Sequence, residues 1–450
     1  MQQVRSGGVL ASSVRRSSRT RLLAALVAVG AVALTGCGTD VDDIAVGPGK
    51  GWPAAHHDAR NDGSSPIAGA KKVALSWSRP IGGPIAQPVT IGPDGQMFLT
   101  TNLPGCTIFS FQMATGRKRF CNELGPGAIS AASSVDGATN VYVGDDRGNV
   151  GGVNAFNYLG QPRWRTSVAG TPVSVQFTGD GNLLSVTQTG QVDVLSRQTG
   201  ERVVPSMQLL GQPDPLDHPN LTWPAAGQGL AECLSGEPQC PVANISAVDA
   251  ASGRFFVTVW KPGDPVATLV ALRYADKKIQ QDWSAAMLSG GSATSPSLSA
   301  DGKTVYVGDN SKRLIAVDTA DGRTKWVRPL EWAPRGGISV STDGLIIPSG
   351  DDGYLLALRD TGDTVETVWE RKDLDLRGTP VQTAGGTGYT TAAIGEGLNL
   401  ITFDIKTGAT IDSDVLPGAR GSTTGTSIGA KGEVVVATRI GELFVFKPER

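Results

Sequence analysis

The sequence predicts an all-β fold, an eight-bladed β-propeller made of four-stranded antiparallel blades. Two observations lead to this prediction. A turn between two β-patterned segments recurs at intervals of roughly 43 residues, and repeats of this length are typical of propellers. Glycine is dense, with 59 of 450 residues, which favours many short strands joined by tight turns. Helical solenoids share the repeat length, but the 3.6-residue period that they require is absent.

Each repeat can be followed by a turn glycine, which comes directly after Asp in five of eight units. Glycine there supplies the positive φ that a tight hairpin needs. Successive turns are 42–49 residues apart, except for one gap of 72. We assign that excess to a proline-rich insertion at about 206–242. The eight turn glycines are Gly95, Gly137, Gly181, Gly253, Gly302, Gly344, Gly388 and Gly432.

A second signature follows the third strand of the fifth unit, where the sequence reads Ala316-x-Asp318-x-x-x-Gly322-x-x-x-Trp326. This pattern resembles the tryptophan-docking motif of quinoprotein-type (PQQ-like) propellers, and the resemblance covers about residues 52–450. It implies that each tryptophan packs between adjacent blades, on the peptide plane of the next blade. The tryptophans that fall on this strand are Trp77, Trp164, Trp283, Trp326 and Trp369.

Ring closure is also predicted by the pattern. The eighth unit, about 420–446, ends after three strands. The missing outer strand is supplied by residues 73–77, which precede the first unit and place Trp77 at the docking position. Joining the two ends of the chain in one blade closes the circle and leaves only short sheet edges.

The first residues of the chain are typical of an export signal. Five arginines precede an apolar segment, residues 22–34, that is too short for a comfortable membrane span. The segment ends in Leu-Thr-Gly-Cys37, which resembles a bacterial lipobox, so we expect a signal peptide at 1–36 and a lipid on Cys37. Residues 37–51 then form an acidic, glycine-rich tether. We expect an exported protein, lipid-anchored on the outer side of a bacterial cell membrane; the pattern leaves open which membrane and which export route.

Four further cysteines allow three disulfide pairings. Cys106 begins the third strand of the first unit and Cys121 ends its fourth, so the two lie nearly opposite each other across the hairpin. Cys233 and Cys240 flank a short loop in the insertion. In an oxidising compartment we therefore expect the pairs 106–121 and 233–240.

The chain carries few marks of catalysis. A catalytic quinoprotein would need a vicinal disulfide and calcium ligands around its quinone, but the sequence has no Cys-Cys pair, so we expect neither PQQ nor calcium. Zinc-protease and phosphate-loop motifs are missing too. The residues His56-His57-Asp58 are predicted to be an exposed polar segment rather than a metal site. Formal net charge is −2, which excludes a strongly basic nucleic-acid surface.

Acidic turns between second and third strands contain Asp145, Asp146, Asp351 and Asp352. Two interpretations remain open: local turn hydrogen bonding, or a ring of carboxylates that attracts a cation or a basic partner. Strand alternation places these turns and the insertion on one face, opposite the Asp-Gly hairpins. We expect a protein partner to bind there, with Trp223 of the insertion as an anchor.

The function that this reading favours is a non-catalytic, lipid-anchored binding or scaffold protein of the cell envelope, a monomer that holds a protein partner. The same architecture occurs in the propeller lipoproteins of the outer-membrane β-barrel assembly machinery. A second hypothesis is a quinoprotein-type dehydrogenase or a sugar-binding enzyme that uses the central funnel.

Overall fold

A computed structural model describes residues 51–147, 150–211, 229–261 and 263–449. They form eight four-stranded antiparallel sheets arranged as the blades of a propeller, which confirms the predicted fold. The predicted signal peptide, the lipidation site Cys37, most of the tether and Trp223 lie outside the described residues. None of the helices in the described part of the chain has the length and apolar character needed to cross a membrane.

Within each blade the strands follow one another outwards from the ring axis. In blades one and two they are Thr90–Ile91, Gln96–Thr100, Ile108–Gln112, Lys118–Asn122; and Ser134–Val135, Val141–Asp145, Gly151–Phe156, Pro162–Val168. In blades three and four they are Pro172–Phe177, Leu183–Thr187, Gln191–Leu195, Met207–Gln208; and Ala247–Asp249, Arg254–Val259, Ala267–Ala275, Lys278–Leu288. The outer strand of blade three lies inside the range predicted for the insertion, so the inserted part begins after Gln208.

Blades five to eight repeat the arrangement. In blades five and six the strands are Ser297–Leu298, Thr304–Asp309, Arg313–Asp318, Thr324–Pro329; and Ser339–Val340, Leu345–Ile347, Leu355–Asp360, Val365–Arg371. In blades seven and eight they are Val381–Ala384, Thr387–Ile394, Gly397–Asp404, Thr410–Leu416; and Thr423–Ile428, Val434–Thr438, Glu442–Pro448, Val73–Pro80. Four short strands lie outside this pattern, Ser64–Ala68, Ala293–Thr294, Arg335–Gly336 and Asp375–Leu376, and the 3₁₀ helices are Pro126–Ser130 and Glu232–Leu234.

Because successive strands of a blade run in opposite directions, their connections alternate between the two faces of the ring. We call the face that carries the turns between first and second strands, such as Asp301-Gly302, the hairpin face. The turns between third and fourth strands lie on the same side. We call the opposite face, which carries the loops between second and third strands and the connections between blades, the loop face. The insertion after blade three and the acidic turns therefore share the loop face.

Blade-to-blade packing follows the predicted docking motif. Four indole N–H groups donate to a backbone carbonyl of the next blade, namely Trp77 to Met113 (2.8 Å), Trp164 to Arg197 (3.0 Å), Trp283 to Thr319 (3.0 Å) and Trp369 to Ile405 (3.0 Å). Trp326 differs, because its indole donates to the carboxylate of Asp360 at 3.0 Å. Aromatic side chains thus join the blades, and packing between blades accounts for all five tryptophans.

Ring closure occurs where the sequence predicts it. Val73–Pro80 pairs antiparallel with Glu442–Pro448, with Leu75 opposite Phe446 and Trp77 opposite Val445. The eighth blade is therefore completed by a strand from the beginning of the chain, and hydrophobic residues from both ends share one core cluster.

Candidate functional site

The axis of the ring is occupied by the chain's own residues 51–68, which we call the axial segment. Six inner strands donate a backbone N–H to a carbonyl of this segment. The donor–acceptor pairs are Ile91 to Trp52, Val135 to Pro53, Val248 to Ala59, Leu298 to Arg60, Val340 to Asp62 and Gln382 to Gly63, at 2.6–3.3 Å. Blade three adds a side-chain contact, because the amide of Gln176 donates to Asn61 Oδ1 at 3.0 Å.

Both ends of the axial segment lie at the hairpin face. A Cβ added at Gly51 would lie 2.8 Å from the Ile91 carbonyl oxygen, so Gly51 lies where the inner strand of blade one reaches its hairpin turn. Ser64–Ala68 then runs parallel to the inner strand of blade seven and ends opposite Ala384. The segment therefore enters from the hairpin face, turns inside the ring and returns to the same face.

The histidine pair of this segment is buried, and the prediction of an exposed polar segment was wrong. His56 and His57 are 5% and 6% exposed, because they form the part of the axial segment that lies deepest in the ring. Nε2 of His56 lies 3.1 Å from Ser295 Oγ, and burial lowers the pKa of His56 to about 4. The imidazole of His56 is therefore neutral at pH 7.

His57 belongs to a small cluster with Asp58 and Asp62, whose candidate ligand atoms lie within 4.8 Å of one another. These atoms already make local hydrogen bonds: His57 Nδ1 lies 2.9 Å from Asp62 Oδ1, and the Arg60 N–H donates to Asp58 Oδ1 at 2.9 Å. Burial tends to lower the pKa of His57, but Asp62 and Asp58 outweigh it and raise that pKa. Burial, followed by the charge of Asp62, raises the pKa of Asp58 to about 6. We interpret the cluster as the group that shapes this turn.

A funnel opens at the centre of the loop face, above the axial segment. Its cavity volume is about 60 Å³. Connections between blades and loops between second and third strands form the wall, and His56 forms part of the floor. The polar residues that matter most in its lining are His56, Asn244, Ser295, Arg335, Asp351 and Arg439. The funnel is therefore polar and blind, because the axial segment fills the ring beneath it.

The four predicted carboxylates differ in their availability. Asp145 has a fully buried side chain that pairs with Arg165 at 2.8 Å. Asp146 is 3% exposed and accepts the Gly127 N–H at 2.8 Å. Both carboxylates are buried and bonded within the propeller, so neither is available to a protein partner. The prediction that Asp145 and Asp146 bind a partner was therefore wrong.

The other two carboxylates remain accessible. Asp351 lines the funnel, and Asp352 is exposed beside it and pairs with Arg377 at 2.6 Å. Of the four carboxylates predicted to form an accessible ring, the two that are accessible lie in one loop, at Asp351 and Asp352.

Both predicted disulfides are present. Cys106 is bonded to Cys121 across the hairpin of blade one, and Cys233 is bonded to Cys240. The Cα–Cα distances are 5.4 Å and 5.1 Å. Cys233 lines the funnel, so the second bond holds the inserted chain against the funnel wall.

Sequence reasoning missed two residues of the funnel, Arg335 and Arg439. A signal for Arg439 exists, because the loop after the second strand of the eighth unit reads Thr-Arg439-Ile-Gly where the fifth and sixth units carry Gly-Asp. No comparable signal marks Arg335, which lies in a connection between blades and is aligned by a short parallel strand pair.

Comparisons with known proteins agree with this architecture. A family model described as outer membrane protein assembly factor BamB matches residues 242–446. Protein Rv3035 of Mycobacterium tuberculosis (strain ATCC 25618 / H37Rv) is 36% identical over 421 residues, covering 92% of this chain and 100% of that protein.

Solved structures show the same fold at low identity. BamB from Moraxella catarrhalis matches with a TM-score of 0.56 and 18% identity, over 84% of this chain and 100% of that chain. Quinohemoprotein alcohol dehydrogenase from Comamonas testosteroni matches with a TM-score of 0.61 and 14% identity, over 93% of this chain and 83% of that chain. The docking tryptophans, the ring of eight blades and these matches together show that the chain belongs to the PQQ-like β-propeller family.

Proposed function

We propose that this protein is a non-catalytic, lipid-anchored scaffold of the bacterial cell envelope that holds a protein partner on its loop face. The observation that carries the proposal is the path of the axial segment. Because Gly51 lies at the hairpin face, the residues that precede it, including the proposed lipidation site Cys37, are joined to the propeller on that side.

Chain length limits how far the propeller can lie from a lipid on Cys37. Gly51 lies fourteen positions after Cys37, and an extended chain over that distance spans at most about 50 Å. Attachment at the hairpin face favours an orientation in which this face is turned to the membrane. The loop face is then the surface presented to other envelope proteins.

The loop face has features of a binding surface. Leu234, in the loop held by Cys233–Cys240, is 43% exposed, and Ile440, in the second-to-third strand loop of blade eight, is 60% exposed. Exposed apolar side chains around a polar funnel on a rigid scaffold are typical of a surface that recognises a partner. The name of the matching family model, an assembly factor, is consistent with such a role.

The funnel residues do not fit PQQ with calcium. A planar quinone needs flat apolar surfaces, but the described lining of the funnel contains no Phe, Tyr or Trp, and the sequence has no adjacent cysteines. Calcium takes six to eight oxygen ligands, usually with several carboxylates, whereas Asp351 is the one acidic residue in this lining. We therefore propose that the protein acts without this cofactor, and that the quinoprotein relatives share its fold rather than its chemistry.

Site-specific photocrosslinking in cells tests the proposal. A photoreactive residue at Leu234 on the loop face should crosslink to a defined envelope protein. The matched control is Leu159, which is 48% exposed in a turn of the hairpin face. Capture of the same protein from position 159 but not from position 234 would contradict the proposed face.

Anchoring is tested separately. Cys37→Ser should release the protein from membranes or leave an uncleaved precursor, because the 22–34 segment is too short to span stably and stable anchoring needs more than one acyl chain. A processed variant that remains fully membrane-bound would refute the lipid anchor.

A further inference from the structure

An arginine whose side chain has no partner among the described residues lines the funnel. The backbone of Arg439 is fixed on both sides, because its N–H donates to Ser422 O at 2.9 Å and its carbonyl accepts the Ile85 N–H at 3.2 Å. Among the described residues, none accepts a hydrogen bond from its guanidinium or forms an ion pair with it. The side chain is nevertheless partly buried, as a group held inside a cavity would be.

A second arginine lies in the same lining. Arg335 belongs to the short strand that pairs with Ala293–Thr294, and its N–H donates to Ser349 O at 3.0 Å. Its guanidinium reaches Leu234 O at 3.4 Å, a long and weak contact. Asp351 also lines the funnel, but no ion pair joins it to either arginine within the described part of the chain.

Among the described residues that line the funnel, the balance of charge is positive. Burial lowers the pKa of Arg439, the charge of Asp351 raises it, and the charge of Arg335 lowers it further. An arginine nevertheless remains protonated in any accessible pH range. Two guanidinium groups therefore face one carboxylate, with neutral His56 beneath them. The rest of the chain is acidic, since removal of residues 1–36 leaves 35 basic and 42 acidic residues.

A desolvated, unpaired charge destabilises a folded protein unless a ligand compensates it. Guanidinium groups match carboxylates well because they donate two parallel hydrogen bonds to the two oxygens. The exposed side chains of Leu234 and Ile440 flank the same region, so a suitable ligand carries apolar groups next to its negative charge.

We propose that the funnel binds a carboxylate group of the protein partner, an Asp or Glu side chain flanked by apolar residues, with Arg439 as its main contact and Arg335 as the second. This inference rests on the function proposed above. It assigns the funnel a recognition role and places the binding energy at its arginines rather than at the acidic turns.

Photocrosslinking from position 234 tests the inference when it is combined with Arg439→Gln. The variant should lower partner crosslinking at least tenfold, since loss of one member of a buried charge pair strongly weakens binding. Arg323→Gln is the matched control, because Arg323 is exposed on the hairpin face and pairs with Asp321. Peptide mapping should place an Asp or Glu within two residues of the crosslinked site.

The outcomes separate the two proposals. If wild-type protein captures no partner from the loop face, the proposed function fails. If wild type captures a partner and Arg439→Gln captures it equally well, the scaffold stands and the carboxylate site is refuted. Arg439→Lys, which keeps the charge but not the two-pronged geometry, should restore only part of the crosslinking.

A measurement on the purified protein alone shows whether Arg439→Gln loses ligand binding or simply misfolds. Mature lipoprotein in detergent should gain thermal stability in sodium glutarate but not in glutaramide, its uncharged analogue, at ionic strength matched with NaCl. Arg439→Gln should abolish the gain while its own melting temperature stays equal to or above that of wild type, because an unpaired charge has been removed. A lower melting temperature without ligand, or a larger stabilisation by inorganic phosphate than by glutarate, would overturn the proposal.

Discussion

The indole of Trp77 lies directly on Gly116, and a Cβ atom at Gly116 would come within 2.9 Å of Trp77 Cδ2. Trp77 belongs to the last blade and Gly116 to the first, so this contact lies where the two ends of the ring meet. The same relationship recurs around the propeller, with Trp164 on Gly200, Trp283 on Gly322 and Trp369 on Gly408. Each receiving glycine has positive φ, between +67° and +77°.

Replacement of Trp77 should destabilise the closed ring. We expect Trp77→Ala to lower the free energy of unfolding by about 3 kcal/mol, because it removes a large aromatic surface and an N–H···O bond to Met113. Chemical denaturation of the purified protein measures this change. Trp164→Ala, which removes an equivalent contact between blades two and three, is the comparison, and an unchanged midpoint for Trp77→Ala would contradict the role of this residue in closure.

The receiving glycines allow backbone strain to be separated from docking. Gly181 and Gly200 have nearly equal φ, +79° and +75°, but a Cβ at Gly181 meets nothing within 4 Å, whereas one at Gly200 would lie 2.5 Å from Trp164 Cε3. Gly181→Ala should cost about 1 kcal/mol, the cost of the left-handed conformation alone. Gly200→Ala should lower the free energy of unfolding at least twice as much. If thermal unfolding shows equal destabilisation by the two variants, the packing of Trp164 does not depend on a glycine at position 200.

His56 should make stability depend on pH. Its pKa falls from 6.5 to about 4 on folding, so between these values the unfolded chain binds the extra proton and folding is penalised. The contribution of neutral His56 to the free energy of unfolding is complete above pH 6.5. It is lost as the pH falls towards 4, and the loss is about 3 kcal/mol in all.

The raised pKa of Asp58 acts in the opposite direction, because folded Asp58 keeps its proton up to about pH 6. The difference between wild type and His56→Asn therefore isolates the histidine. That difference in unfolding free energy should shift in favour of the variant by about 3 kcal/mol between pH 6.5 and pH 4. A difference that is constant with pH would mean that His56 is not buried as a neutral imidazole.

The two disulfides should differ in their effect on function. Removal of either one should lower stability by about 2–3 kcal/mol, as expected for short loops. Only Cys233→Ser/Cys240→Ser should also weaken partner crosslinking from position 234, because Cys233 lies in the funnel wall and Cys106–Cys121 lies in blade one. Equal crosslinking by both double variants would argue against a rigid loop at the funnel.

The fold was readable from the sequence because its determinants are local. The turn glycines, the strand lengths and the spacing from Gly322 to Trp326 all lie within one repeat, and Trp77 could be placed because it matches that repeat. The axial segment could not be predicted in this way. Its contacts include backbone hydrogen bonds to six separate blades, and such bonds leave no side-chain pattern in residues 51–68.

The candidate site was predicted only in part for the same reason. The loop face and the Cys233–Cys240 bond follow from strand alternation and loop length. The burial of Asp145 depends on Arg165, twenty positions further along the chain. Arg335 comes from a connection between blades that has no repeat signature. Long-range pairing therefore decides which charges are free, and a turn motif alone does not reveal it.

The axial segment also constrains the order in which the protein can mature. Residues 64–68 pair with Val381–Ala384, and Val73–Pro80 pairs with Glu442–Pro448, so the part of the chain that is synthesised first reaches its final place last. Contacts at such separations delay folding, since loop closure over hundreds of residues must precede them. Until the final blade has been synthesised and folded, the ring is open at two sheet edges and the strand Val73–Pro80 has no partner, a state exposed to proteases and to edge-to-edge association. Quality control of this protein would thus act on the whole propeller at once, because no fragment that lacks the last blade contains a closed ring.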